Sequence, residues 1–194
     1  MPKEYAIAGF DFIGCGNSSG DYITLGINES QQIRTIVQVL GVQFRKLILW
    51  GRSMGAVSVL MYGEAAISVV DSPFYTLKSL GKDQVKSHAS QAPKCLISCL
   101  FPCLWSCVKN DIKKRTNVDV GKLNTVNAVK KMNAHQTVIF ISGRNDDLVS
   151  PKHTERLYNA FVGTKKALVM VEGGHNCRRS RETFAEVMRL IDSY

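Results

Sequence analysis

An apolar run, Lys46-Leu47-Ile48-Leu49-Trp50, ends directly in Gly51-Arg52-Ser53-Met54-Gly55, with a helix-forming stretch behind it and no linker between. A buried strand that passes at once into a helix must turn within about one residue. The corner residue is then pushed into a strained backbone conformation at the strand's C-terminal tip, and only small neighbours leave room for it. Ser53 occupies that corner. The spacing predicts a strand, a tight turn carrying a presented hydroxyl, and a helix from Met54.

Apolar strand-like runs alternate with helix-like segments along the rest of the chain, which predicts a mostly parallel sheet flanked by helices, an α/β fold. Strands are expected near Tyr5–Phe10, Lys46–Trp50, Ile67–Asp71, Thr137–Ser142 and Ala167–Glu172. Ile33, Ile36, Val37 and Leu40 recur at helical spacing, with Asn28 or Ser30 as the cap and Gly41 as the stop. A further helix runs from about Pro151 to Phe161, its proline suited to a first helical position. The last carries Phe184, Val187, Met188 and Ile191 on one face. A length of 194 residues with 45% apolar composition suits one buried core, so residues 1–194 read as one domain. Between about 76 and 132 no convincing strand occurs, and this stretch reads as a helical insertion over the sheet.

Six cysteines in a domain of this size, behind an N-terminus that does not read as a secretory leader, point to a reducing, cytoplasmic setting. Cys95, Cys99, Cys103 and Cys107 recur at every fourth residue and would line one helix face over ~18 Å. They cannot converge on one ion, so neither a metal nor a cofactor is expected. The net charge of +9 favours anionic surfaces. Its groups, such as Lys113-Lys114-Arg115 and Arg178-Arg179, do not interleave with aromatic residues, which argues against nucleic-acid binding. The apolar run Cys95–Val108 is too short to span a bilayer. It reads first as a buried helix kinked at Pro102. The alternatives are a lid over a lipid-sized pocket, or an interfacial segment resting on a membrane beside Lys113-Lys114-Arg115.

A serine hydroxyl is a poor nucleophile until a base takes its proton, and that base needs a carboxylate to orient it. His175, in Glu172-Gly173-Gly174-His175-Asn176 just past the last strand, would lie on the same sheet edge as Ser53. His88, His135 and His153 read as surface residues. Asp146 and Asp147 follow the preceding strand, and Asp71 ends the strand after the serine's helix. All three are contenders for the acid, and any of them could instead cap a turn. Cys15 and Cys177 flank these loops, and no role is assigned to either.

Four stretches carry a resemblance across nearly the whole chain. They are Phe10-Asp11-Phe12-Ile13-Gly14-Cys15-Gly16-Asn17-Ser18-Ser19-Gly20, the Gly51–Gly55 turn, Asp71-Ser72-Pro73-Phe74, and the acid and histidine loops. The chain resembles α/β-hydrolases of the serine-aminopeptidase-like and monoacylglycerol-lipase-like kind, and is similar to the α/β-hydrolase-domain depalmitoylases. The resemblance implies the chain order serine, acid, histidine. It gives the acid role to the aspartate three residues after a glycine, and the match of Gly143, Asp146 and Val149 selects Asp146. The implied reaction is acyl transfer on an ester, thioester or amide of an apolar acyl group, small-molecule or lipid-like, with the Met54 N–H as one oxyanion donor. It also makes the helical insertion a cap. In that family the second donor sits on a loop after an earlier strand, commonly in a His-Gly-rich segment. Four residues precede Tyr5 here, so that segment is expected to be absent; the resemblance aligns Tyr5–Phe10 with the family's fourth strand and implies that the third strand is missing. Weak turnover and exposed strand edges that favour association are expected. The rival expectation is a non-catalytic relative acting as a binding module, and the oligomeric state is open.

Overall fold

The computed structural model describes residues 5–41, 45–89, 91 and 93–194. Four parallel strands, β1 (Ile48–Arg52), β2 (Ile67–Asp71), β3 (Thr137–Gly143) and β4 (Lys166–Val171), lie in the order β1-β2-β3-β4. The helices are α1 (Ile27–Leu40), α2 (Met54–Tyr62), α3 (Leu77–His88), α4 (Lys94–Thr116), α5 (Thr125–Lys131), α6 (Pro151–Ala160) and α7 (Arg181–Ser193), with a 3₁₀ turn at Val120–Lys122. Parallel neighbours need crossover connections, and right-handed crossovers between sequential strands put the connecting helices on one face. Val70, Val138 and Phe140 point to that face, against Ile33 of α1, Leu60 of α2, Val129 of α5 and Leu157 of α6. The alternate residues Ile67, Val69, Ile139 and Ile141 face α7 through Val187 and Ile191. Burial on both faces is why β2 and β3 read as continuous apolar runs rather than alternating ones.

Four of the five expected strands form. Tyr5–Phe10 does not: it runs as exposed, irregular chain, with Ile7 94% exposed. A strand needs an edge ~4.8 Å away to pair with. Here a groove of about 550 Å³ lies between this segment and β1, lined by Tyr5–Phe10, Ile48–Gly51, Phe184 and Met188 among others. Among the described residues the outer edge of β1 carries no partner strand. Trp50 covers part of that end by stacking on Phe184, with ring centroids 5.5 Å apart.

The cap of α1 also differs from the expectation. Gly26 is the N-cap rather than Asn28 or Ser30, and the buried Glu29 carboxylate accepts from Gly26 N (2.8 Å), Thr24 N (2.7 Å) and Thr24 Oγ1 (2.7 Å). A carboxylate three residues into a helix reaches back to the orphan N–H groups, so the helix begins two to four residues earlier than expected. Gly41 ends it in the left-handed region, φ 51°.

The segment between β2 and β3 divides in two. α5 packs on α2 and α6 within the helical layer, while α3 and α4 pack on each other and on the 3₁₀ turn. α4 is not the buried helix expected from its composition. It continues through Pro102 as one helix of 23 residues, and among its described side chains only Ile97 and Phe101 are buried.

Candidate active site

β1 delivers Ser53 to the C-terminal edge of the sheet. The strand's ladder continues past its end, with Ser53 N donating to Asp71 O (2.8 Å), so the turn must occur within the next residue. Ser53 takes φ 51°, ψ −117°, a region costing a non-glycine residue on the order of 1–3 kcal/mol. A Cβ on Gly51 would stand 2.3 Å from Gly55 O, so position 51 requires glycine. Gly55, by contrast, would meet nothing within 4 Å. The turn is therefore constrained sterically on one side only. Met54 opens α2, and its N–H has no acceptor within the helix.

The acid loop follows β3 and the histidine loop follows β4. The two are locked by close backbone approach: Arg144 N donates to Val171 O at 2.8 Å, and a Cβ on Gly143 would lie 2.5 Å from Gly173 O. Asp146 is buried, and its Oδ1 accepts from Val149 N (2.7 Å) and Leu148 N (3.1 Å). Its Oδ2 lies 2.8 Å from His175 Nδ1. A carboxylate only accepts, so the imidazole proton sits on Nδ1, which leaves the Nε2 lone pair free. That Nε2 is 3.0 Å from Ser53 Oγ. Hydroxyl, imidazole and carboxylate thus stand in series. His175 is 5% exposed and Asp146 6%, so the chain of bonds is largely shielded from water.

The other contenders fall elsewhere. Asp147 is exposed, and its carbonyl accepts from Gln84 Nε2 of α3 (3.0 Å). Asp71, 2% exposed, faces Arg179, which donates from Nε to Oδ2 (2.9 Å) and from Nη2 to Oδ1 (2.7 Å). Arg179 also donates from Nη1 to Gly174 O (3.2 Å), and Arg52 Nη2 donates to Cys177 O (3.2 Å). Both arginines therefore hold the loop that carries His175. Neither role is evident in the sequence, where Arg178-Arg179 reads as one of several scattered basic groups. The available signal was Asp71: a carboxylate ending a fully buried strand requires a cation. Cys177 closes the same loop, its Sγ accepting from Gly174 N (3.1 Å).

His88 and His135 are exposed, as surface residues. His153 is not: it is fully buried at the start of α6. Its Nδ1 accepts from Tyr75 N (3.3 Å) and its Nε2–H donates to Asp83 Oδ2 of α3 (3.1 Å). Burial pushes its pKa below the usual histidine range, against the raising effect of Asp83. Accepting the Tyr75 N–H needs a lone pair on Nδ1, which the neutral ring has and the imidazolium lacks.

Among the described residues no cluster of His, Cys, Asp or Glu could hold a metal ion. Ser53, Asp146 and His175 do not line the groove beside Tyr5–Phe10.

Solved structures match this arrangement of strands and helices. An esterase from Pyrococcus furiosus superposes with a TM-score of 0.65 at 23% identity, covering 95% of this chain and 69% of its own. A monoacylglycerol lipase from Paleococcus ferrophilus gives 0.60 at 17% identity, covering 95% of this chain and 82% of its own. An α/β fold family hydrolase from Bacillus anthracis gives 0.56 at 12%, with coverages of 95% and 80%. No family model and no curated protein matches the sequence. The chain has the α/β-hydrolase fold.

Proposed function

We propose that this chain is a serine hydrolase, acting on an ester, thioester or amide of an apolar acyl group through an acyl-enzyme on Ser53. The observation that carries the reading is the series Ser53 Oγ, His175 Nε2 (3.0 Å), and His175 Nδ1, Asp146 Oδ2 (2.8 Å), set on a strained turn. In this reading His175 takes the Ser53 proton as the hydroxyl attacks the carbonyl carbon. Asp146 stabilises the imidazolium, and the proton is returned to the leaving group. Water then repeats the sequence on the acyl-serine. The Met54 N–H, at the positive end of α2, donates to the oxyanion; one such donor is worth about 3 kcal/mol of barrier. The esterase and the lipase among the structural neighbours favour an ester as the scissile group. The helical arm of α3 and α4 acts as a cap, since Gln84 ties α3 to the loop of Asp146. Six free thiols support a reducing, cytoplasmic setting.

Turnover of p-nitrophenyl acyl esters tests this. The folded chain should hydrolyse them, and His175→Ala should lower the rate by about 10³-fold or more. Folded protein without turnover above background would instead make the chain a binding module built on a hydrolase fold.

A further inference from the structure

We infer that the outward face of α4 docks on an anionic lipid surface. This goes beyond the proposed hydrolysis and does not depend on it. Leu96, Leu100, Leu104 and Val108 are 48%, 58%, 50% and 41% exposed, and Cys95, Cys99, Cys103 and Cys107 are exposed beside them. These two rows, each repeating every fourth residue, form one apolar face about 20 Å long. The opposite face holds Ile97 and Phe101, which are buried, and Trp105, which is half-buried. A patch of this size on a soluble surface marks an interaction site rather than scattered exposure.

Charge selects the occupant. Residues 77–116 contain eight Lys or Arg against two Asp, so six of the chain's nine net positive charges fall in about a fifth of its length. Lys78, Lys82 and Lys86 form an exposed row on α3, and Lys113 and Lys114 are exposed where the apolar face of α4 ends. The two acids are already engaged, Asp83 with His153 and Asp111 with Arg115 (2.9 Å). An apolar face with a surplus of positive charge around it matches the interface of an anionic bilayer, with hydrocarbon beneath and phosphate at the rim.

Among the described residues α4 is the one helix long and apolar enough to cross a membrane. Its uncharged stretch nevertheless ends at Lys109, about 21 Å from Cys95, short of a ~30 Å hydrocarbon core. Its inner side is also committed to the protein through Ile97 and Phe101. The helix therefore lies on the bilayer. Because α4 packs on α3, and α3 is tied to the Asp146 loop, docking would hold the proposed site close to the lipid surface.

Sedimentation of the full chain with vesicles tests the inference, comparing phosphatidylcholine alone with phosphatidylcholine containing about a third phosphatidylserine. Retention on the anionic vesicles should exceed that on neutral ones by tenfold or more and should fall with added salt, as a basic residue near such a surface contributes about fivefold. The double variant Leu100→Glu, Leu104→Glu should lose the retention at least tenfold, while its thermal unfolding and circular dichroism stay at wild-type level, since both side chains are exposed. Ser53→Ala should bind as wild type does, which keeps this test separate from that of the hydrolase reading. Absence of retention on anionic vesicles at low salt overturns the inference, as does retention unchanged in the double leucine variant. A dimer that dissociates in that variant, with no vesicle retention, would give the face to a second copy of the chain and equally overturn it.

Discussion

β3 and the Cys95–Val108 stretch of α4 are both uncharged and mostly apolar, yet all seven residues of β3 are buried, while between Cys95 and Val108 only Ile97 and Phe101 are. Their neighbours make the difference. β3 pairs with β2 on one side and β4 on the other, and helices cover both its faces. α4 packs on α3 and a short turn. Hydrophobicity measures what a segment gains by burial, and topology decides whether anything is there to bury it. The edge of the sheet is consequently over-determined, with each loop held by backbone contacts and buried ion pairs. The arm is held by a few side chains.

The contrast can be broken most severely at the sheet edge. Asp146→Asn removes the acceptor that fixes the His175 tautomer and should lower kcat by about 10⁴-fold in ester hydrolysis, with KM little changed. Arg179→Ala removes the two-pronged partner of Asp71, leaving it Ser72 Oγ (3.1 Å) and the more distant Arg52 (3.8 Å), and should cost about 2–3 kcal/mol in urea unfolding. The surviving folded fraction should show a lower kcat as the His175 loop loosens. On the arm, Phe101→Ala should cost about 3 kcal/mol and Leu100→Ala, its sequence neighbour, about 0.5 kcal/mol or less. Equal costs at the two positions would mean that the outward face of α4 is buried after all.

The smallest effect concerns the tie between arm and body. His153 has its pKa held below the unfolded value, chiefly by burial. The unfolded chain therefore binds more protons as pH falls below about 6.5, so the stability present at neutral pH is lost on acidification through the folded pKa. Thermal melts between pH 7.5 and pH 5 should show this decline, and His153→Gln should flatten it.

The sheet was legible because β2, β3 and β4 announce themselves as apolar runs ending in turn residues, and the Ser53 corner because its Gly-x-Ser-x-Gly follows such a run without a gap. His175 followed from position alone. Tyr5–Phe10 has the composition of a strand, but composition does not say whether an edge lies within hydrogen-bonding reach. His153 reads as a helix-start residue on a surface, and its burial depends on Tyr75 and Asp83, 78 and 70 positions away. Arg179 escaped for a similar reason. Its partner Asp71 is 108 residues distant, and only folding shows that the two share a sheet edge.

The proposed acyl transfer requires Ser53 to be a nucleophile, and covalent capture tests that directly. The chain incubated with a fluorophosphonate should gain one adduct, and peptide mass spectrometry should place it on Ser53, with no adduct on folded Ser53→Ala or His175→Ala protein. Unmodified wild-type protein that is demonstrably folded, or an adduct on any other residue, would contradict it.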